Sequence, residues 1–189
     1  MANKIYLFRH GVTRDNAEGI FSGFRDVGLN TKGFRDAGIV ALRLKNKKID
    51  VAFHSGMKRS IETLNQVLRF HPECRKIIID ARIMERNYGK LQGKTHLQIA
   101  EKQGIEKYDS WHRGYNTRPP SGESIKDVEV RVLAFIKDLL KFIKLKKLNV
   151  AISAHGNSIR PFRRYFEKLS IKEMCSLYND YEAVWEYSV

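Results

Sequence analysis

Short apolar runs alternate along the chain with longer amphipathic stretches, and that alternation predicts an α/β fold. Four runs rich in β-branched residues, Ile5–Phe8, Val51–Phe53, Ile77–Ile79 and Val150–Ser153, read as buried strands, with a fifth at Val184–Val189. Between them the apolar positions change to helical spacing. Thr31 to Lys45 groups Phe34, Gly38, Ala41, Leu42 and Leu44, and Lys58 to Phe70 groups Ile61, Leu64, Val67 and Leu68. Ser124 to Ile143 groups Val128, Val132, Phe135, Ile136, Leu139 and Leu140, and it opens with Ser124 and Asp127 in an N-capping pattern. Strands that alternate with long helices need crossover connections, so the expected sheet is mostly parallel and flanked by helices on both faces, a three-layer α/β sandwich.

Residues 81–123 break this rhythm. Asn87, Gly89, Gly93, Gly104, Gly114 and the Pro119-Pro120 pair punctuate them, which predicts a mainly helical insertion over one end of the sheet. No repeat or linker divides the chain, so residues 1–189 are expected to form a single domain.

Composition narrows the class. Hydrophobic residues make up 42% of the 189 residues, which excludes collagenous and wholly disordered chains. No apolar run approaches the roughly 20 residues of a bilayer-spanning helix, and the first apolar run is broken at once by Arg9, so neither a membrane anchor nor a signal peptide is expected. Cys74 and Cys175 form no disulfide framework and no zinc-ligand pair, which fits a reducing cytoplasm.

The 35 basic residues outnumber the 21 acidic ones and leave a net charge of +14, which favours anionic partners. Lys141, Lys144 and Lys147 read as a solvated face near a helix C-terminus. A nucleic-acid-binding module is a remote alternative, since the chain has no aromatic-interleaved basic motif, helix-turn-helix signal or zinc finger.

Candidate chemistry gathers where strands end. In an open parallel sheet, ligands bind beyond the carboxyl ends of the strands. The first strand runs into Arg9-His10-Gly11 with Asn16 beyond, the second into His54-Ser55 with Arg59 beyond, and the fourth into His155-Gly156-Asn157. Arginine offers a planar fork that matches phosphoryl oxygens, and glycine lets backbone N–H groups approach closely. A neutral imidazole among arginines can attack phosphorus. The neighbouring cations disfavour its protonation and offset charge on the transferring group. His54 fits a direct role and a purely local hydrogen bond equally well. No His/Asp cluster of recognisable metal spacing accompanies these residues, so no metal is expected.

Phe8-Arg9-His10-Gly11 resembles the signature of the histidine phosphatase superfamily, and the wider pattern is similar to its cofactor-dependent phosphoglycerate mutases. The supporting segments are Ile20–Asp26, Phe53–Arg59, Glu85–Gly93, Trp111–Tyr115, Pro120–Ser124 and Ala154–Arg160, in one order over nearly the whole chain. The resemblance implies a phosphoglycerate mutase-like fold and interconversion of 3-phosphoglycerate and 2-phosphoglycerate, an isomerase reaction of glycolysis and gluconeogenesis. The phosphoryl primer it implies is 2,3-bisphosphoglycerate. It makes His10 the phosphorylated nucleophile and Glu85 the general acid/base, with Arg9, Arg59 and His155 around the phosphoryl group. Asn16, Ser22, Gly23, Gly156 and Asn157 are then expected to position phosphate and substrate, and Arg86, Tyr88, His96, His112 and Arg113 to contact the rest of it. The partners implied are small anionic phosphometabolites, and a homo-oligomer is compatible with the pattern.

Three departures favour an alternative, a phosphatase of the same superfamily with broad phosphomonoester specificity. His96 stands where the mutases have a lysine, and His112-Arg113 where they have an arginine pair, which implies a cationic grip lost or relocated to Lys90 or Lys94. The sequence also stops soon after its last strand, which leads to the expectation of a site more open to water.

Overall fold

In a computed structural model, which describes residues 2–189, the five runs form one sheet in the order β3-β2-β4-β1-β5. Its strands are β1 (Lys4–Arg9), β2 (Val51–His54), β3 (Lys76–Ile79), β4 (Val150–Ala154) and β5 (Val184–Ser188). The β1, β2, β3 and β4 pairings are parallel, and β5 is antiparallel on β1; β3, expected as a buried strand, is instead an edge strand with Ile77 and Ile79 exposed.

Alternation along β1 divides the core. Tyr6 and Phe8 face one layer, with Val40, Ala41 and Leu44 of α2 (Thr31–Leu44) and Leu64 and Val67 of α3 (Lys58–Leu68). Ile5 and Leu7 face the other, against Val128, Val132, Phe135, Ile136 and Leu139 of α6 (Ile125–Lys146) and Ile159 and Phe162 of α7 (Gly156–Glu167). Each fully buried Val, Leu, Ile or Phe among them stabilises the fold by about 1.5–3 kcal/mol before the entropy of ordering it. Ser124 caps α6 by accepting from Asp127 N–H, while Asp127 accepts from Ser124 N–H.

The α2 stripe differs from the expected one. Leu42 is 63% exposed and Phe34 44% exposed, whereas Gly33, Asp36, Ala37, Val40, Ala41 and Leu44 are buried. The reason is a close backbone crossing between the loop after β1 and the first turn of α2. A Cβ on Gly11 would stand 2.1 Å from the Gly33 carbonyl oxygen, and one on Gly33 would stand 2.0 Å from that of Val12. Asp36 Oδ2 completes the contact by accepting from Val12 N–H at 3.2 Å.

The remaining elements are α1 (Arg14–Ala17), α4 (His96–Gln103), α5 (Ile105–Arg113), α8 (Ile171–Ser176) and two single 3₁₀ turns, Ala81–Ile83 and Gly89–Leu91. The segment between β3 and α6 thus holds two short helices and two 3₁₀ turns. Its Tyr88, Leu91 and Ile99 form a small separate core with Phe21 from the loop before α2. No described helix is long and apolar enough to cross a membrane.

Candidate active site

Parallel pairing of β1 with β4 sets Arg9 opposite Ala154, so the residues that follow, His10 and His155, leave the sheet side by side. His10 N–H donates to the Ala154 carbonyl, and the two imidazole centroids are 4.9 Å apart. His10 Nδ1 lies 2.8 Å from the Gly11 carbonyl oxygen. A carbonyl can only accept, so Nδ1 carries the proton and Nε2 keeps its lone pair. Burial, then Arg59 and Arg9, hold the His10 pKa well below 6.5, which keeps the ring neutral and nucleophilic at ordinary pH.

His155 is fixed in the opposite sense. Arg59 Nε donates to its Nδ1, so the proton resides on Nε2 and is donated to Ser55 Oγ at 2.7 Å. Its pKa is also well below 6.5, chiefly through burial and then Arg59 and His10. Arg59 NH1 and NH2 donate to the carbonyls of Arg25 and Gly23, each at 2.8 Å. Gly23 has φ +49°, a conformation that favours glycine.

Glu85 reaches this pair from the turn after the first 3₁₀ turn. Its Oε1 accepts from Arg86 N–H at 2.7 Å and from Asn157 N–H and Nδ2 at 3.1 and 3.0 Å. Among the described residues no group hydrogen-bonds Oε2. Ligand atoms of His10, Glu85 and His155 all lie within 4.8 Å of one another. The trio does not suit a dication, because both His155 nitrogens are engaged and Arg9 and Arg59 press positive charge on the same space.

A cavity of about 350 Å³ is lined by Arg9, Asn16, Ser22, Gly23 and Glu85 among others, while His10, His155 and Arg59 are buried and stand outside that lining. Tyr88, His96, His112, Arg113, Gly156 and Asn157 also line it. Two buried polar atoms here have no partner in the protein, Arg9 Nε and Ser22 Oγ. Two unsatisfied groups of this kind suit an anion rich in acceptor oxygens.

Three expectations change, and the open choice at His54 narrows. Arg86 is fully buried and absent from the lining, because its guanidinium donates to the carbonyls of Glu123, His112 and Thr117 and ties the insertion together. Lys90 and Lys94 line other surfaces, not this cavity, so neither relocates the missing charge. His54 Nδ1 accepts from Gly56 N–H in a local turn, and the ring stays outside the cavity. Residues 176–179 and Tyr181 line the cavity, so the site has a covering segment within the chain. Tyr181 stacks on Arg9 with 3.7 Å from ring centroid to guanidinium carbon, and Arg9 donates to its hydroxyl and to the Asn179 carbonyl.

Sequence reasoning missed Tyr181, Asn179 and Arg160. Only Arg160 carried a signal, since it closes the Ala154–Arg160 segment that supports the resemblance. The histidines at 96 and 112 form a wall. Tyr108 Oη lies 3.1 Å from His96 Nδ1 and 3.0 Å from His112 Nδ1, and Phe21 packs on His96 with centroids 3.9 Å apart. Burial lowers the His96 pKa, and burial with His96 and Arg113 pushes His112 down to about 3. Both rings are uncharged at neutral pH.

This cluster of histidines, arginines and a glutamate lies at the carboxyl ends of the strands of a three-layer α/β scaffold. Residues 5–187 match the model of the histidine phosphatase superfamily (branch 1), and the chain belongs to that family. It is 37% identical to a 2,3-bisphosphoglycerate-dependent phosphoglycerate mutase of Parvibaculum lavamentivorans, over 94% of this chain and 86% of that protein. It is 34% identical to one of Cytophaga hutchinsonii, over 90% and 80% respectively. Among solved structures, Bacillus stearothermophilus YhfR superposes with a TM-score of 0.86 at 27% identity, covering 98% of this chain and 90% of that one. A putative alpha-ribazole-5'-P phosphatase from Escherichia coli shares the fold with a TM-score of 0.84 at 21% identity, covering 100% and 91%.

Proposed function

We propose that this protein interconverts 3-phosphoglycerate and 2-phosphoglycerate through a phosphorylated His10. The observation that carries the reading is a neutral His10 with a free Nε2 lone pair, whose ring nitrogen lies within 4.8 Å of a Glu85 carboxylate oxygen and which feels the charges of Arg59 and Arg9. Mutase relatives at 32–37% identity over most of the chain support the choice of substrate. The cavity's exposed cations and its orphan donors fit 2,3-bisphosphoglycerate, which supplies the first phosphoryl group to His10.

In the forward half-reaction the Nε2 lone pair forms a bond to phosphorus and the P–O ester bond breaks. Protonated Glu85 gives its proton to the departing oxygen and becomes a carboxylate. In the return half-reaction the acceptor hydroxyl gives its proton to Glu85 and its oxygen attacks phosphorus. The N–P bond breaks, and His10 recovers its lone pair. Arg9, Arg59 and the backbone around Gly156 offset charge on the equatorial oxygens.

A second reading, a phosphomonoesterase, is favoured by the uncharged His96–Tyr108–His112 wall, which holds an organic acid less firmly than two cations do. One assay separates them: 3-phosphoglycerate is supplied with and without 2,3-bisphosphoglycerate, and 2-phosphoglycerate and free phosphate are followed together. Formation of 2-phosphoglycerate that depends on the bisphosphate supports the mutase. Free phosphate alone, with or without primer, supports the phosphatase. His10→Ala is expected to abolish both products and the acid-labile, base-stable phosphoryl label that incubation with 2,3-bisphosphoglycerate leaves on wild type.

A further inference from the structure

Arg9 is the last residue of β1, and a long side chain carries its charge toward His10. Such a side chain loses rotamer freedom when it grips an anion, unless the fold has ordered it beforehand. Here the segment between α8 and β5 orders it. NH1 donates to the Asn179 carbonyl at 2.8 Å and NH2 to the Tyr181 hydroxyl at 2.9 Å, while the Tyr181 ring stacks on the guanidinium carbon at 3.7 Å. Gly156 leaves the space that the guanidinium plane needs: a Cβ there would stand 3.4 Å from NH2 and 3.6 Å from Nε.

This clamp has an anchor of its own. Asn179 is buried, its Nδ2 donates to the Gly156 carbonyl at 2.8 Å, and its Oδ1 accepts from Arg163 NH1 at 3.2 Å. Tyr181 therefore stands on a segment tied to α7 by contacts that do not involve Arg9. Both groups that accept from Arg9 are neutral. Burial raises the Tyr181 pKa, so the phenol keeps its proton at ordinary pH, and among the described residues no carboxylate pairs with Arg9. A carboxylate in either place would fix the same geometry and cancel the charge that phosphoryl oxygens need. Of the five guanidinium N–H groups, Asn179 and Tyr181 take one each, and the buried Nε is among those left open.

We propose that Tyr181 is a positioning residue for phosphoryl transfer: it holds the Arg9 guanidinium aimed at the phosphoryl group without neutralising it. The ring fixes the plane of the guanidinium, and the hydroxyl fixes its rotation within that plane. This inference rests on the phosphohistidine reading of the cavity, and it is indifferent to which phosphoester is the substrate.

The test is a double-mutant cycle on kcat/KM for nitrophenyl phosphate, with Tyr181→Leu, Arg9→Ala and the two combined. Tyr181→Leu is expected to lower kcat/KM roughly tenfold in the wild-type background and less than about twofold in the Arg9→Ala background, where no guanidinium is left to aim. Tyr181→Phe keeps the stack and loses the acceptor, so its loss is expected to fall between, at roughly threefold. Losses that multiply in the double variant would show that Tyr181 acts through the fold at large, and they overturn the proposal, as does a Tyr181→Leu enzyme with wild-type kcat/KM. If Tyr181→Leu does not fold, Tyr181→Phe carries the cycle: a loss that persists undiminished beside Arg9→Ala overturns the role. A wild-type protein that turns over no phosphoester removes the phosphohistidine reading, and calorimetric affinity for inorganic phosphate then decides the inference separately. Affinity that falls with Tyr181→Leu only when Arg9 is present supports the positioning role, and affinity that Tyr181→Leu leaves unchanged overturns it.

Discussion

Arg59 Nε donates to His155 Nδ1 at 3.3 Å, and this contact decides which nitrogen of His155 carries the proton. One buried guanidinium therefore sets the tautomer of one ring, lowers the pKa of both, and closes the loop before α2 through the carbonyls of Gly23 and Arg25. Lysine keeps the charge but has neither the planar fork nor the reach to three acceptors. Arg59→Lys is expected to lower unfolding free energy by about 2–4 kcal/mol, because buried acceptors lose their donors. It is also expected to slow phosphorylation of His10 at least roughly tenfold. Urea unfolding and rapid-quench labelling measure the two effects. Wild-type values for both would show that Arg59 only fills space.

Acid should weaken the fold before any carboxylate titrates. The pKa values of His10, His155, His96, His54 and His112 are all lowered in the folded chain, His112 to about 3. Unfolded, these rings take up protons near pH 6.5. Below that value the unfolded state binds more protons than the folded one, so stability falls as pH falls, and keeps falling until the folded values are reached. Urea midpoints taken between about pH 7 and about pH 5 should drop steadily, and His112→Phe should flatten the drop. A midpoint constant across that window would mean the rings become protonated inside the fold. For the same reason the acid limb of activity due to His10 lies well below pH 6.5.

The lysines near the end of α6 lie at the other end of the sheet. Lys144 and Lys147 border Asn3, which precedes β1, whereas His10 follows it. Six residues of strand span about 20 Å, twice the screening length of about 8–10 Å at ordinary ionic strength. Reversing the charge of Lys141, Lys144 and Lys147 together should change kcat/KM for phosphoryl transfer by less than about twofold. A large loss would place a functional partner or substrate path on that face.

Glu85 is held by one oxygen and offers the other. Glutamine can keep the acceptor but cannot shuttle a proton. Glu85→Gln should therefore slow turnover of phosphoglycerate by roughly a hundredfold or more, and that of nitrophenyl phosphate, whose leaving group needs no proton, much less. Steady-state rates on both substrates give the comparison. Equal losses would assign Glu85 to positioning Asn157 alone.

The central strands were legible because burial on both faces leaves unbroken apolar runs, and strand ends then pointed to His10, His155 and Arg59. The exposed side of α2 was not. Gly33 and Asp36 are buried there through backbone contact with Val12, which no apolar periodicity records. The helix α7 was hidden by its opening Gly156-Asn157-Ser158 and by Pro161. Arg86 looked like a substrate cation because it adjoins Glu85, and only the folded insertion brings three carbonyls to it. Tyr181 sits in an irregular segment, where nothing in the local pattern marks a residue that will stack on Arg9.

Transfer and hydrolysis share the phosphohistidine, so their ratio depends on how long the organic acid stays aligned against how often water reaches phosphorus. The wall at His96, Tyr108 and His112 contributes no charge to that alignment. Wild type is therefore expected to isomerise phosphoglycerate with measurable release of free phosphate, and the double substitution His96→Lys with His112→Arg to raise the ratio of transfer to hydrolysis. Tyr108→Phe provides the control. It removes the shared hydroxyl and costs about 1 kcal/mol of stability, yet adds no charge, so the ratio should stay near wild type. Coupled assays at fixed pH and salt give both rates. If wild type releases negligible phosphate and the double variant gains nothing, Arg113 and Arg160 already hold the acid fully, and the two histidines serve only to shape the cavity.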